Sequence, residues 1–206
     1  MGVSERREAG VPPSGERGRS GPAHERRERE SVSEGAAALA ADEYRFVCPV
    51  EPRADDFDAQ SHLNNAATVR LFNDLRIAYV HGEVGAWWPE AIRANGYVIA
   101  ARELHVLYES EGLPSESFVG GMKYVARDGK AAVLEQRIVE AASGRPVARA
   151  WVVQLLVQDG TVVDWPDRFF DRVSEIEGRS IAARPRSAAV PWGPPQVLDA
   201  SGADAV

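Results

Sequence analysis

Between residues 55 and 65 the sequence runs DDFDAQSHLNN, placing three carboxylates, one imidazole and a pair of asparagines within a few positions of each other. A carboxylate held in front of a carbonyl can attack it or take a proton from water, provided that donors nearby hold the oxyanion that develops. Every residue here also has a plainer use. Asp56 and Asp58 are turn formers or caps as readily as catalysts, His62 can anchor loop backbone, and Asn64 or Asn65 can cap a helix. Asp56, Asp58 and His62 could ligate a cation, but a carboxylate pair with one imidazole is an incomplete set, and no metal is expected.

The elements around this run decide what it can do. Upstream, EYRFVCPV (43–50) has the pattern of a short apolar strand, with Pro49 suited to a strand end or an edge. Cys48 has no neighbouring base or cation to generate a thiolate and reads as a small buried hydrophobe. Downstream, Val69, Leu71, Phe72, Leu75, Ile77, Ala78, Tyr79 and Val80 cover most of the circumference of a helix over 66–81, which predicts that it is largely enclosed. Arg70, Asn73, Asp74 and His81 mark its narrow polar face. GEVGAWWPEAIRANG then gives a loop or a short second helix.

The period changes after residue 97. Four long strands are predicted over 97–110, 116–129, 130–143 and 146–160, with turns at Asp128-Gly129 and Ser143-Gly144, where glycine supplies the positive φ of tight hairpins. A short helix over 164–178, with Pro166 near its first turn, closes the pattern. Strand, polar loop, apolar helix and antiparallel meander make an α+β fold in which one helix lies against a sheet.

The chain has 206 residues, enough for one substantial core, and a net charge of −7, which argues against nucleic acid or an anionic membrane as partner. One cysteine and the absence of a long apolar run or secretory leader fit a cytoplasmic protein. Residues 1–42 have almost no large apolar side chains, and residues 179–206 are rich in Pro, Ala and Gly; both read as disordered tails flanking a domain over 43–178.

The run DFDAQSHLNNAATVRLFNDLR resembles the start of the central helix in hotdog-fold acyl thioesterases of the 4-hydroxybenzoyl-CoA thioesterase type, whose usual pattern is D-x-D-x-x-G-H-x-N-N followed by R-x-F and a further Arg. The matching residues are Asp56, Asp58, His62, Asn64, Asn65, Arg70, Phe72 and Arg76. The resemblance implies a hotdog fold, an antiparallel sheet wrapped around a long central helix, that hydrolyses acyl-CoA or acyl-carrier-protein thioesters in fatty acyl metabolism without a cofactor. It implies that Asp58 carries the carboxylate role, with His62 beside it, and that the backbone N–H of Asn65 polarises the carbonyl. Asn64, Ser61 and Thr68 would then border the substrate. It also implies a homodimer or homotetramer with the cleft at the subunit boundary. Two positions depart from the pattern: Ser61 stands where the family usually has Gly, and Thr68 replaces a usual aromatic. Competing readings are a hotdog module that binds an acyl thioester without cleaving it, a dehydratase or hydratase on the same fold, and a scaffold acting through its tails.

Overall fold

Five strands of alternating or doubly apolar sequence need hydrogen-bonded neighbours and a cover on each apolar face, and the chain supplies both. The computed structural model describes residues 34–181 and the backbone of the short strand Ala183–Arg184. In chain order, helix α1 spans 34–41. It is followed by β1 (Phe46–Val50), a 3-10 turn (Ala54–Asp56), α2 (Asn65–Tyr79), α3 (Trp87–Asn95), β2 (Tyr97–Tyr108), β3 (Phe118–Asp128), β4 (Ala131–Glu140), β5 (Pro146–Gln158), β6 (Thr161–Val163), α4 (Asp167–Glu177) and β7 (Ala183–Arg184). The sheet order is β1-β3-β4-β5-β2, all antiparallel, with β6 added on β5 and β7 pairing in parallel with β3. This is the α+β arrangement that the sequence pattern predicts, in the hotdog form that the family resemblance implies.

Helix α2 packs on the inner face of the sheet. Its buried stripe is Ala67, Thr68, Leu71, Phe72, Leu75 and Tyr79. It lies so close to β3 that a Cβ at Gly120 would stand 3.0 Å from a Leu75 methyl and 2.8 Å from Val50, which is why the strand carries glycine there. The helix is less enclosed than its composition suggests: Ile77 is 49% exposed, and Val69, Ala78 and Val80 are half-buried. Pro49 sits in β1, an edge strand, where its missing N–H costs no ladder bond.

Behind α2 the core becomes aromatic. Trp88, Trp165, Phe169, Tyr124 and Tyr79 are almost entirely buried, with Trp88 and Phe169 centroids 4.7 Å apart. These side chains fasten α3 and α4 to the end of the sheet. The last residue of α4, Glu177, is buried and accepts hydrogen bonds from Tyr79 Oη and from the Tyr124 backbone N–H, each 3.0 Å.

Two predicted boundaries are corrected. Residues 34–41 were expected to belong to a disordered tail, yet they form α1, whose Leu39 is fully buried against Tyr44, Val119, Val139 and Ala141 on the outer face of the sheet. A single leucine among alanines is a faint signal, and it suffices because α1 covers only a small apolar patch. At the other end Ile181 is buried and Ala183–Arg184 pairs with β3, so the folded chain runs past residue 178. The rest of both predicted tails lies outside the described residues. The Asp159-Gly160 turn, with φ of 49° and 76°, adds a β5–β6 hairpin, whose second strand lies in residues 161–163 that the sequence pattern left between the fourth long strand and the closing helix.

Candidate active site

The polar run folds into a small hairpin. Phe57 and Leu63 form a β-bridge, the Asp58 N–H donates to the His62 carbonyl at 2.9 Å, and the Ser61 N–H donates to the Asp58 carbonyl at 2.9 Å. Ser61 closes the turn at φ 62°, the left-handed conformation that explains why the resembled family prefers glycine there. The Leu63 N–H then donates to the Gly112 carbonyl at 2.8 Å, tying the hairpin to the loop after β2.

The two acids of the D-x-D pattern have different surroundings. Asp56 is buried and accepts from the Arg53 N–H at 2.6 Å and from the Arg70 guanidinium, which also pairs with Asp74. Burial alone would raise its carboxyl, but the Arg53 N–H and Arg70 outweigh it and hold Asp56 below the ordinary carboxylate range. It pins the loop to α2, and its backbone carbonyl accepts from the Asn64 N–H at 2.9 Å. Asp58 is exposed. Its Oδ1 accepts from the His62 N–H at 3.0 Å and the Gln60 N–H at 2.8 Å, and these two donors, His62 foremost, lower its carboxyl. Oδ2 makes no hydrogen bond among the described residues. Asp58 therefore presents one free carboxylate oxygen, charged throughout the neutral range.

His62 acts on Asp58 through its backbone, because its imidazole Nε2 turns instead toward Glu111 at 3.6 Å. That acid follows β2 and was not singled out by sequence reasoning, since nothing local marks a contact made across the fold. Asn64 caps α2: its Oδ1 accepts from the Ala67 N–H at 2.8 Å, and its φ and ψ of −75° and 158° are extended. The Thr68 N–H returns to the Asn64 carbonyl at 3.0 Å, and the buried Thr68 hydroxyl donates to the same oxygen. The N–H groups of Asn65 and Ala66 are left without acceptors among the described residues, at the positive end of the helix dipole. The structure thus brings Asp58, Ser61, His62, Asn64 and Asn65 into one loop and helix start, and turns Thr68 inward.

Among the described residues no three His, Cys, Asp or Glu side chains gather to hold a metal, and Asp56 is occupied by Arg70. Cys48 lines a cleft of about 450 Å³ between β1 and α2, together with Val50, Arg53, Arg70, Leu71 and Leu75; burial pushes its thiol up, away from thiolate chemistry. No helix of the described residues is long and apolar enough to cross a membrane.

A hotdog sheet carrying an acidic hairpin at the open start of its central helix defines a protein of thioester chemistry, and comparison with known proteins agrees. The sequence profile of the thioesterase-like superfamily matches residues 52–173, from just before the hairpin into α4, and the chain belongs to that superfamily. The fold is similar to that of a Thermus thermophilus thioesterase crystallised with coenzyme A and Zn (22% identity, 66% of this chain and 97% of that one, TM-score 0.57). It is also similar to a Staphylococcus aureus hypothetical protein in complex with CoA (16% identity, 72% and 89%, TM-score 0.57) and to a Synechocystis 1,4-dihydroxy-2-naphthoyl-CoA thioesterase (9% identity, 63% and 96%, TM-score 0.57). No curated protein matches the chain.

Proposed function

We infer that the protein is an acyl-CoA thioesterase whose carboxylate is Asp58. The observation that carries this reading is that one short segment holds both an ionised carboxylate with a free oxygen, in the hairpin, and two N–H groups without acceptors among the described residues, at the start of α2 just after it. Asp58 either attacks the thioester carbonyl directly or takes a proton from water that does so. In both cases charge builds on the carbonyl oxygen, where the Asn65 and Ala66 N–H groups and the helix dipole stabilise it. Collapse breaks the carbon–sulfur bond and releases the thiolate. In the direct route this leaves a mixed anhydride on Asp58, which a water then splits to free the acid, restore the carboxylate and supply the proton that the thiolate takes up; in the other route the water has already added, and the proton that Asp58 took from it passes to the thiolate. Ser61 holds the turn, His62 fixes the Asp58 carboxylate, and Asn64 and Thr68 order the first turn of the helix beside the substrate. CoA is preferred over an acyl-carrier protein as the thiol because two of the similar structures hold CoA. The setting is the cytoplasm, in fatty acyl metabolism.

The exposure of Asp58 in a single chain favours a homo-oligomer in which a second copy walls the cleft. It also keeps a second reading alive, a module that binds the ester without cleaving it. A panel of acyl-CoA esters with free-thiol detection, run beside the same acyl groups on acyl-carrier protein, separates the two. Release of CoA thiol at a rate proportional to protein supports the enzyme. Tight binding of an ester with no thiol released overturns it.

A further inference from the structure

The inner face of α2 carries a cation that meets no carboxylate among the described residues. Arg76 donates from Nη1 to Gln136 Oε1 at 3.0 Å and from Nη2 to Asn73 Oδ1 at 3.1 Å, and both partners are neutral amides. The half-buried guanidiniums elsewhere meet carboxylates: Arg70 meets Asp56 and Asp74, Arg127 meets Asp167, Arg137 meets Asp42 and Glu109, Arg145 meets Glu116, and Arg149 meets Glu135. Withdrawing a cation from water without an anion is costly, and here burial pushes the guanidinium below its usual range. Gln136, its acceptor, is itself fully buried and locked, because its Nε2 donates to the Phe72 carbonyl at 2.7 Å. The cation is therefore held in a set position.

That position is aligned with the proposed reaction centre. Asn65, Val69, Phe72 and Arg76 are spaced 4, 3 and 4 residues apart, so they share one stripe of α2, away from the Arg70 and Asp74 side. Arg76 lies eleven residues beyond Asn65, about 16 Å along the axis, less the few ångströms by which helix side chains lean toward the N-terminus. Across the sheet Gln136 pairs with Ala150 and Ala150 with Val106, on the inner face of edge strand β2, where Leu104 and Tyr108 stay exposed. An acyl chain running from the oxyanion donors along the outside of this stripe passes half-buried Val69, lies over Phe72, which is itself fully buried, and reaches the half-buried cation last. At roughly 1.2 Å per bond of extended chain, the span corresponds to about ten carbons.

We propose that Arg76 selects acyl thioesters that carry a carboxylate at the far end of a medium-length chain, so that the substrate class is the mono-thioester of a dicarboxylic acid. This rests on the reading of Asp58 as the reaction centre, because the direction and length of the chain are measured from there.

The test compares the mono-CoA thioester of decanedioic acid with decanoyl-CoA on the intact protein. A charge-assisted pair predicts that wild type favours the carboxylated ester in kcat/KM by roughly tenfold to a hundredfold, and that Arg76→Gln abolishes most of that ratio while Arg76→Lys keeps part of it. Equal use of both esters by wild type overturns the proposal, and this arm does not depend on the folding of any variant. A loss of both activities in Arg76→Gln together with loss of the oligomer also overturns it, since the missing anion then belongs to a neighbouring copy. If neither ester releases thiol, the hydrolase reading has failed, and calorimetric affinity for the same two esters decides on Arg76 alone: tighter binding of the carboxylated one, abolished in Arg76→Gln, supports it, and equal binding refutes it.

Discussion

Asn65 offers a way to remove a backbone donor without removing the helix. It is the first residue of α2, its N–H has no acceptor among the described residues, and Asn64 before it is already extended, the conformation that a following proline requires. Asn65→Pro should therefore fold with an unchanged melting temperature and lose roughly a hundredfold or more in kcat, the usual cost of one oxyanion donor, while Asn65→Ala stays within a fewfold of wild type. Equal activity of the proline variant would remove this N–H from the mechanism. Asp56 predicts the reverse pattern. Asp56→Asn leaves Arg70 half-buried with only exposed Asp74 opposite, so stability should fall by about 1–3 kcal/mol in chemical denaturation while kcat of the folded fraction changes little. The sequence motif does not separate these two acids. What separates them is Arg70, fourteen residues on, and the two N–H groups that the turn aims at Asp58, contacts that no spacing rule announces.

At the scale of elements, periodicity disclosed α2, the four long strands and α4 because each buries a regular face. It overstated the enclosure of α2, since apolar composition does not reveal how far the sheet extends beneath a helix, and it missed α1, whose only large buried side chain is Leu39. This gives a graded truncation test: starting the chain at residue 34 should leave the melting temperature unchanged, whereas starting it at residue 43 should lower it by several degrees through loss of the Leu39 contacts. Equal melting of both would show that α1 adds nothing. The anchor of α4 is sensitive to pH. Burial, stronger than its hydrogen bonds to Tyr124 and Tyr79, raises the Glu177 carboxyl. Folding therefore favours its protonated form, so the associated stability is full below the unfolded carboxyl range and is lost as pH rises through the raised value. Glu177→Gln should gain in melting temperature on wild type between pH 4.5 and pH 8. A difference independent of pH would contradict this.

For the whole molecule, β2 is the longer of the two edge strands that end the sheet path, twelve residues against five for β1, and it exposes Val98, Leu104, Leu107 and Tyr108. An edge of that length and character invites pairing with a second copy. Light scattering should show at least a dimer at micromolar concentration, and Leu104→Lys combined with Tyr108→Lys should shift it toward monomer with loss of activity; a fully active wild-type monomer would refute the assembly. Thiol release by purified Asp58→Asn, assayed beside wild type on the best acyl-CoA of the panel, tests the central claim most directly. The substitution keeps size and turn-forming oxygen but removes the charge, so kcat should fall at least roughly a hundredfold, about 2.7 kcal/mol of transition-state stabilisation, with KM and melting temperature little changed. Hydrolysis by Asp58→Asn at the wild-type rate would contradict the assignment of this side chain to the chemistry.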